Sequence, residues 1–341
     1  MDKIQIKELL KKYAYNTISF QSLIDGLNYF EVTQRIEGFI PYIKIGHTFL
    51  AVGDPICDED SVYDLVHDFR KFCKKEKSYC CFLSVSEKFK HKLDLMGFGN
   101  LKIGEEGIFD FPAYSFEGSK MKVLRNSVNH AKNKGVTVRR VEYYNDLIFS
   151  KILKLNNEWL TTRKVKGFSF LLKLNPTENF DEKIIFIAEL DNVIVGYLSC
   201  IPIYKRNGWY FEDLIRSEAA PNGTNHFLVY EAVAYLKSKE FQMATLGTSP
   251  LGNIEKIDNP DYKSINKILK FAYEHIHGFY NFRGLHDFKE SFNPSRWEEK
   301  FFSFYPVTFK PKLILAIIKA YDPAGLNGIM LSKLKKILLK K

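Results

Sequence analysis

Apolar residues recur along this chain at two spacings, and the windows showing each spacing alternate. In 61–77, Val62, Leu65, Val66, Phe69 and Phe72 fall on one side of a 3.6-residue period, which predicts an amphipathic helix. The segment 42–56 reads as a strand pair turning at Gly46-His47 and closing in the Gly53-Asp54-Pro55 turn. CCFLSV at 80–85 is dense enough for a buried strand. A helix follows through Leu95 and stops at Gly97, and a strand at 107–111 ends at Pro112.

From Val136 the alternation starts again. VTVRRV predicts a strand and 145–161 a helix. The runs 184–190 and 193–203 form a hairpin through Asp191-Asn192. A turn at 205–208 leads into the strand 209–215, then a helix from past Gly223 through Lys237, a strand at 244–247 and a helix near 264–276. Two successive rounds of strand, helix, strand and helix predict a mixed α/β fold built from a duplicated unit.

Two segments break the pattern by their charge. Between Gly118 and Gly135, Met121, Leu124, Val128 and Ala131 make a narrow apolar stripe with no acid anywhere. Lys120, Lys122, Arg125, Lys132 and Lys134 surround that stripe. The helix is either a solvated linker or a surface for a phosphate backbone, and the absence of acids favours the second. At the end of the chain Leu334, Ile337 and Leu338 share a face with Met330 and Leu331, among Lys333, Lys335, Lys336, Lys340 and Lys341. A basic amphipathic helix of this kind suits an anionic lipid interface, the alternative being docking on the protein's own surface.

Composition adds limits. The formal net charge is +10, which points to a polyanionic partner or to a lysine-rich bias, since the cations are 40 Lys and 10 Arg. Five cysteines, Cys57, Cys73, Cys80, Cys81 and Cys200, form no CxxC pair, so neither a disulfide framework nor a zinc site is expected. The first residues lack the apolar core of a signal peptide, and no run approaches the roughly 18–20 apolar residues of a spanning helix. A cytoplasmic protein, peripheral at the inner face of the membrane and needing no metal or cofactor, is expected.

Four polar islands carry the candidate chemistry: FEDLIR (211–216), APNG (220–223), LGTSPLG (246–252) and FRGLHDFKESFNPSRWEE (282–299). Charges inside an otherwise apolar strand are costly unless paired or used. Asp213 can hold an ammonium or act as a base. Arg216 can pair with Asp213 or grip a phosphate. Lys289, with Glu290 beside it in a loop rich in Gly, Phe and Trp, can stabilise an oxyanion or a terminal phosphate. The loop 217–224 has one glycine and a proline lacking an N–H, a poor cradle for the pyrophosphate of coenzyme A. Asp54 reads as a turn residue, and none of the eight histidines stands out as a base.

In order and spacing, VGDPI (52–56), SEKFK with GFGNLKIGEEGIFD (86–110), the basic helix, EWL…KGFSF (158–170), DLIRSEAAPNG (213–223), LGTSPLG and GLHDFKESFNPSRWE (284–298) extend from about Phe49 to Tyr305. Over that span the chain resembles the cytosolic catalytic domain of bacterial phosphatidylglycerol lysyltransferases, the multiple peptide resistance factors, and their alanyl counterparts. The resemblance implies two tandem GNAT-like acyltransferase domains, 1–117 and 136–310, joined by the basic helix 118–135 and followed by a tail, 311–341. It implies transfer of an amino acid, lysyl or alanyl, from aminoacyl-tRNA to a hydroxyl of an anionic membrane lipid such as phosphatidylglycerol. It implies functional roles for Asp213, Arg216 and Lys289. Lys164, Lys166 and Ser169 match a segment near the donor site, and Val165 stands where related enzymes often carry an acid, so Glu212 is a candidate to replace it. Without the family's multi-helix flippase, the chain reads as a stand-alone, membrane-visiting form. A coenzyme-A-dependent or peptidoglycan-precursor acyltransferase, and a non-catalytic lipid- or RNA-binding module, are the other readings.

Overall fold

A computed structural model describes residues 1–32, 35–162, 174–250, 252, 282–310 and 312–321. Its strands are β1 (Asn28–Glu31), β2 (Gly38–Ile45), β3 (Thr48–Val52), β4 (Ile56–Cys57), β5 (Tyr79–Val85), β6 (Gly99–Asp110), β7 (Thr137–Arg140), β8 (Ile184–Leu190), β9 (Val193–Ile203), β10 (Gly208–Arg216), β11 (Met243–Pro250) and β12 (Arg296–Tyr305). Its α-helices are α1 (Lys3–Tyr13), α2 (Val62–Lys75), α3 (Glu87–Leu95), α4 (Lys122–Asn133), α5 (Asp146–Thr162), α6 (Thr224–Ser238), α7 (Phe282–Glu290) and α8 (Lys312–Tyr321).

All the strands join one mixed sheet in the order β1-β2-β3-β5-β12-β6-β11-β10-β9-β8-β7, with β4 on β2. Two neighbouring pairs are parallel, β3 with β5 and β10 with β11, and each is bridged by a helix, α2 or α6. The series β3-α2-β5-α3-β6 and the elements β10, α6, β11, α7 and β12 follow the same order. Their final strands are exchanged: β6, from the first series, pairs with β11, and β12, from the second, pairs with β5. The sheet is therefore continuous across residue 117.

Helices cover both faces. The stripe of α4 (Leu124, Val128, Ala131) packs with α6 over Leu198, Cys200 and Phe211. On the opposite face Phe149, Ile152 and Leu155 of α5 cover Ile185, Ile187, Tyr197 and Ile215. The hairpin between β8 and β9 turns where the sequence predicts, with positive φ at Asp191 and Asn192 as a tight two-residue hairpin requires.

Two predictions need correction. The strand read at 107–111 begins at Gly99, and the loop read at 282–299 is the helix α7, a short connection and the start of β12. Both strands escape the sequence reading for one cause. β6 and β12 lie at the centre of the sheet and bury charge there, so the apolar alternation that marks a strand is lost. Lys300 meets Glu106 at 2.7 Å and Lys102 meets Glu299 at 2.8 Å, while Thr17 donates to Glu106 at 2.7 Å. Burial raises the Glu106 carboxyl, but the charge and hydrogen bond of Lys300 outweigh it and leave its pKa lowered. Asp54 is more than a turn residue: it is half-buried and accepts from Asn16 and from the backbone and side chain of Ser86.

Candidate active site

The parallel strands β10 and β11 pair only over Gly208–Tyr210 and Met243–Thr245. Beyond that point both carry irregularities, β10 between Phe211 and Asp213 and β11 between Thr245 and Thr248. Gly247 takes φ +73°, and a Cβ there would lie 2.5 Å from the Tyr210 ring, so no larger residue fits this bend. The two strands then part. The carbonyls of Gly247 and Thr248 accept instead from Lys289 Nζ in the last turn of α7, at 2.9 and 2.8 Å. An ammonium has three donors, and these contacts use two.

Burial is the main influence on Lys289 and lowers its pKa to about 7, with the charge of Glu106 opposing the shift. The amine thus sits near the midpoint between its two protonation states at neutral pH.

Asp213 stands on the other side of the parting strands. The irregularity in β10 places it opposite Ser199 and on the face covered by α5, with Tyr197, Ile185 and Ile215. It is buried, and its Oδ2 has no hydrogen-bond partner among the described residues. Burial first, and the charge of neighbouring Glu212 second, raise its pKa well above the carboxylate range, against the pull of Lys183. Two further buried atoms on this face are also unpartnered among the described residues, Ser199 Oγ and Asn156 Nδ2.

Glu212 is already engaged. Lys183 Nζ lies 3.5 Å from its Oε2, and Gln21 Nε2 donates to its Oε1 at 3.1 Å. Lys183 also donates to the Asn175 carbonyl at 2.7 Å. A small cavity lined by Phe20, Gln21, Asn175, Lys183 and Glu212 adjoins this pair. The acid proposed for a cationic donor side chain therefore faces a lysine of the protein itself.

Other predicted residues are placed elsewhere. Arg216 is three positions from Asp213 on one strand, so the two project to opposite faces; Arg216 donates to the Ala220 carbonyl and braces the loop before α6. A pair with Asp213, one of the two roles read for Arg216, is not among the described ion pairs. Glu290 is exposed at the end of α7, where its carbonyl accepts from Asn293. Of the cations on and beside α4, Arg125 is spent on the Phe116 and Gly118 carbonyls, and Lys132 lies over the Phe227 and Tyr230 rings. Lys120, Lys122 and Lys134 are exposed. This helix is pressed against the start of α6: a Cβ on Gly223 would fall 2.0 Å from the Ser127 carbonyl. Lys164, Lys166, Ser169, Lys333, Leu334, Lys335, Lys336, Ile337 and Leu338 lie outside the described residues.

Sequence reasoning passed over Lys183, Asn156, Ser199 and Glu106. Lys183 lies just before β8 and Ser199 within β9, where a single polar residue is unremarked, and Asn156 interrupts the buried stripe of α5, which is a legible signal. His226, half-buried between Phe288 and Phe292, has its pKa lowered by desolvation to about 4, so it is neutral at physiological pH. Among the described residues no helix is long and apolar enough to cross a membrane.

A family model described as "Phosphatidylglycerol lysyltransferase, C-terminal" matches residues 7–304. The phosphatidylglycerol lysyltransferase of Staphylococcus xylosus is 24% identical over 303 residues, covering 86% of this chain and 35% of the relative. That of Bacillus subtilis (strain 168) is 23% identical over 264 residues, covering 76% and 30%. The chain thus spans about a third of the length of the curated relatives it matches. Among solved structures, L-PGS from Bacillus licheniformis superposes with a TM-score of 0.78 at 20% identity, over 94% of this chain and 95% of that one. FemX superposes with a TM-score of 0.52 at 12% identity, over 92% and 98%. At these identities the two likenesses establish the fold.

Proposed function

The chain belongs to the phosphatidylglycerol lysyltransferase C-terminal family, and from that premise we propose that it moves an aminoacyl group from a charged tRNA to a hydroxyl of an anionic membrane lipid. The observation that carries the reading is the end of β10–β11 pairing at Tyr210 and Thr245, beyond which β10 carries Asp213, whose Oδ2 has no partner among the described residues, and β11 holds the buried amine of Lys289.

In this reading Asp213 holds the α-ammonium of the aminoacyl group. The lipid hydroxyl oxygen attacks the ester carbonyl carbon, and a tetrahedral oxyanion forms. Lys289, with its remaining N–H, offsets the negative charge. Collapse breaks the bond to the ribose oxygen of the tRNA, which takes the proton lost by the lipid hydroxyl. One ester replaces another, so the step needs no oxidant, reductant or further activated donor. Arg216 then supports the loop before α6 and does not meet Asp213.

The donor enters, in this reading, along α4. Its exposed lysines Lys120, Lys122 and Lys134 would track the tRNA backbone, and the close approach of Ser127 to Gly223 brings that surface to the loop that opens the site. The same loop supports tRNA over coenzyme A, since Pro221 has no N–H and the Ser127 carbonyl fills the space beside Gly223. We read the fold as two GNAT-like units that exchange their last strands, supported by the repeated element order. The lysine-rich tail would supply peripheral membrane contact.

Incubation with several charged tRNAs and phosphatidylglycerol vesicles tests the proposal. Aminoacylated lipid is the expected product. Its absence across the panel of tRNAs and anionic lipids overturns the reading.

A further inference from the structure

Trp209, the second residue of β10, packs with Phe211 on the sheet face covered by α4 and α6. It is 9% exposed, and its Nε1 is shut off from solvent with no hydrogen-bond partner among the described residues. A buried indole N–H usually finds an acceptor, so the missing one points to a ligand.

The indole lines a cavity of about 330 Å³ at the ends of β9 and β10, together with Phe241, Pro202, Ile184, Ile203 and Tyr204. That volume lies at the lower end of small-molecule sites, about 300–1,000 Å³. Phe241 meets the Trp209 ring edge-on at 5.4 Å, and Pro202 is its register partner on β9. The charged groups lining the cavity are spent elsewhere. Asp181 pairs with Lys7, Glu182 with Lys11 and the Tyr204 hydroxyl, and Lys183 with Glu212. The interior therefore offers apolar surface and one N–H donor. Lys205 follows Tyr204 and Lys239 stands two residues before Phe241, with Glu240 between; both lysines are exposed and in no described ion pair.

We infer that this groove seats one fatty-acyl chain of an anionic glycerophospholipid, a docking lipid distinct from the one that accepts the amino acid. Three features match three parts of one ligand: the apolar walls take the chain, the Trp209 N–H its ester carbonyl, and Lys205 and Lys239 the phosphate. Asp213 faces α5, so the sheet stands between the groove and the proposed reaction site. The inference goes beyond the transfer reaction and does not depend on it. One chain shared between protein and bilayer gives only marginal, reversible binding, so the groove needs a second signal, which the lysine-rich tail would supply.

The chain has three tryptophans, so isotope-labelled protein gives three indole N–H resonances, and Trp209→Phe identifies the one in the groove. The probe is dihexanoylphosphatidate, anionic, used below its micelle concentration and without an acceptor hydroxyl. It should move the Trp209 resonance downfield and leave those of Trp159 and Trp297 in place. Glycerophosphate, which lacks the chains, should move none. Trp209→Phe should weaken probe binding, measured by calorimetry, about three- to tenfold, the worth of one hydrogen bond. Phe241→Ala should weaken it at least as much, unchanged Trp159 and Trp297 resonances reporting an intact fold. Asp213→Asn should leave the titration as it is. A Trp209 resonance indifferent to the probe, moved as far by glycerophosphate, or moved instead by a tetraproline peptide overturns the inference. So does loss of the response in Asp213→Asn, which would seat the lipid in the reaction site.

Discussion

Replacing Asp213 by Asn should abolish transfer and at the same time stabilise the protein. The carboxylate is buried, one oxygen is unpartnered among the described residues, and its pKa is raised well above the usual range by burial and by Glu212. Holding a charge there has a free-energy cost that an amide of the same shape avoids. Relief of one unsatisfied buried group is worth about 1–3 kcal/mol. At about 2–4 °C per kcal/mol for a domain of 150–250 residues, and less for a longer chain, the melting temperature should rise by about 2–6 °C at neutral pH.

The pH dependence carries the sign. A carboxyl whose pKa is higher in the folded than in the unfolded state favours folding while protonated, and that advantage is lost as pH rises through the folded-state value. The variant and the wild type should therefore melt together below about pH 4, near the unfolded-state value, and diverge increasingly above it. Differential scanning fluorimetry from pH 3.5 to 8 measures this directly. In the transfer assay, loss of the charge that holds the ammonium should cost about 2–5 kcal/mol, or about 30- to 4,000-fold in kcat/KM. An Asp213→Asn variant that melts below the wild type at pH 7, or whose offset is independent of pH, would show that the carboxylate is satisfied in the fold and refute the reasoning.

Three further outcomes follow from the same site. Lys289→Ala should reduce transfer by at least about 100-fold; in the wild type, rate should fall as pH rises past about 7, because the buried ammonium loses its proton there and only the charged form offsets an oxyanion. A rate that climbs through the same interval would assign Lys289 to proton abstraction. Lys183→Met should leave Glu212 without its cation, cost about 3 kcal/mol of stability by chemical denaturation, and raise the lysyl-to-alanyl donor ratio; an unchanged ratio separates Glu212 from donor selection. Truncation after Tyr321 keeps α8, whose Leu313, Ala316 and Ala320 are buried, and should abolish flotation with anionic vesicles; persistent flotation assigns membrane contact to another surface.

The sequence alone determined the local elements and the kind of chemistry. Helical and strand periods are set by which residues face a core, and they read correctly wherever one face is apolar, as in α2, α5 and the β8–β9 hairpin. The motif order identified the family from residues that are hundreds of positions apart yet keep their sequence. Only the tertiary structure decided three things. It made 99–110 and 296–305 central strands, because their charges pair across the sheet at Glu106–Lys300 and Lys102–Glu299, and such pairing cannot be seen one strand at a time. It separated Arg216 from Asp213, because a strand turns residues three apart to opposite faces. It brought Asn156 of α5 and Tyr197, Ser199 and Asp213 of the sheet onto one buried face, because which polar atoms go unsatisfied depends on every neighbour the fold supplies.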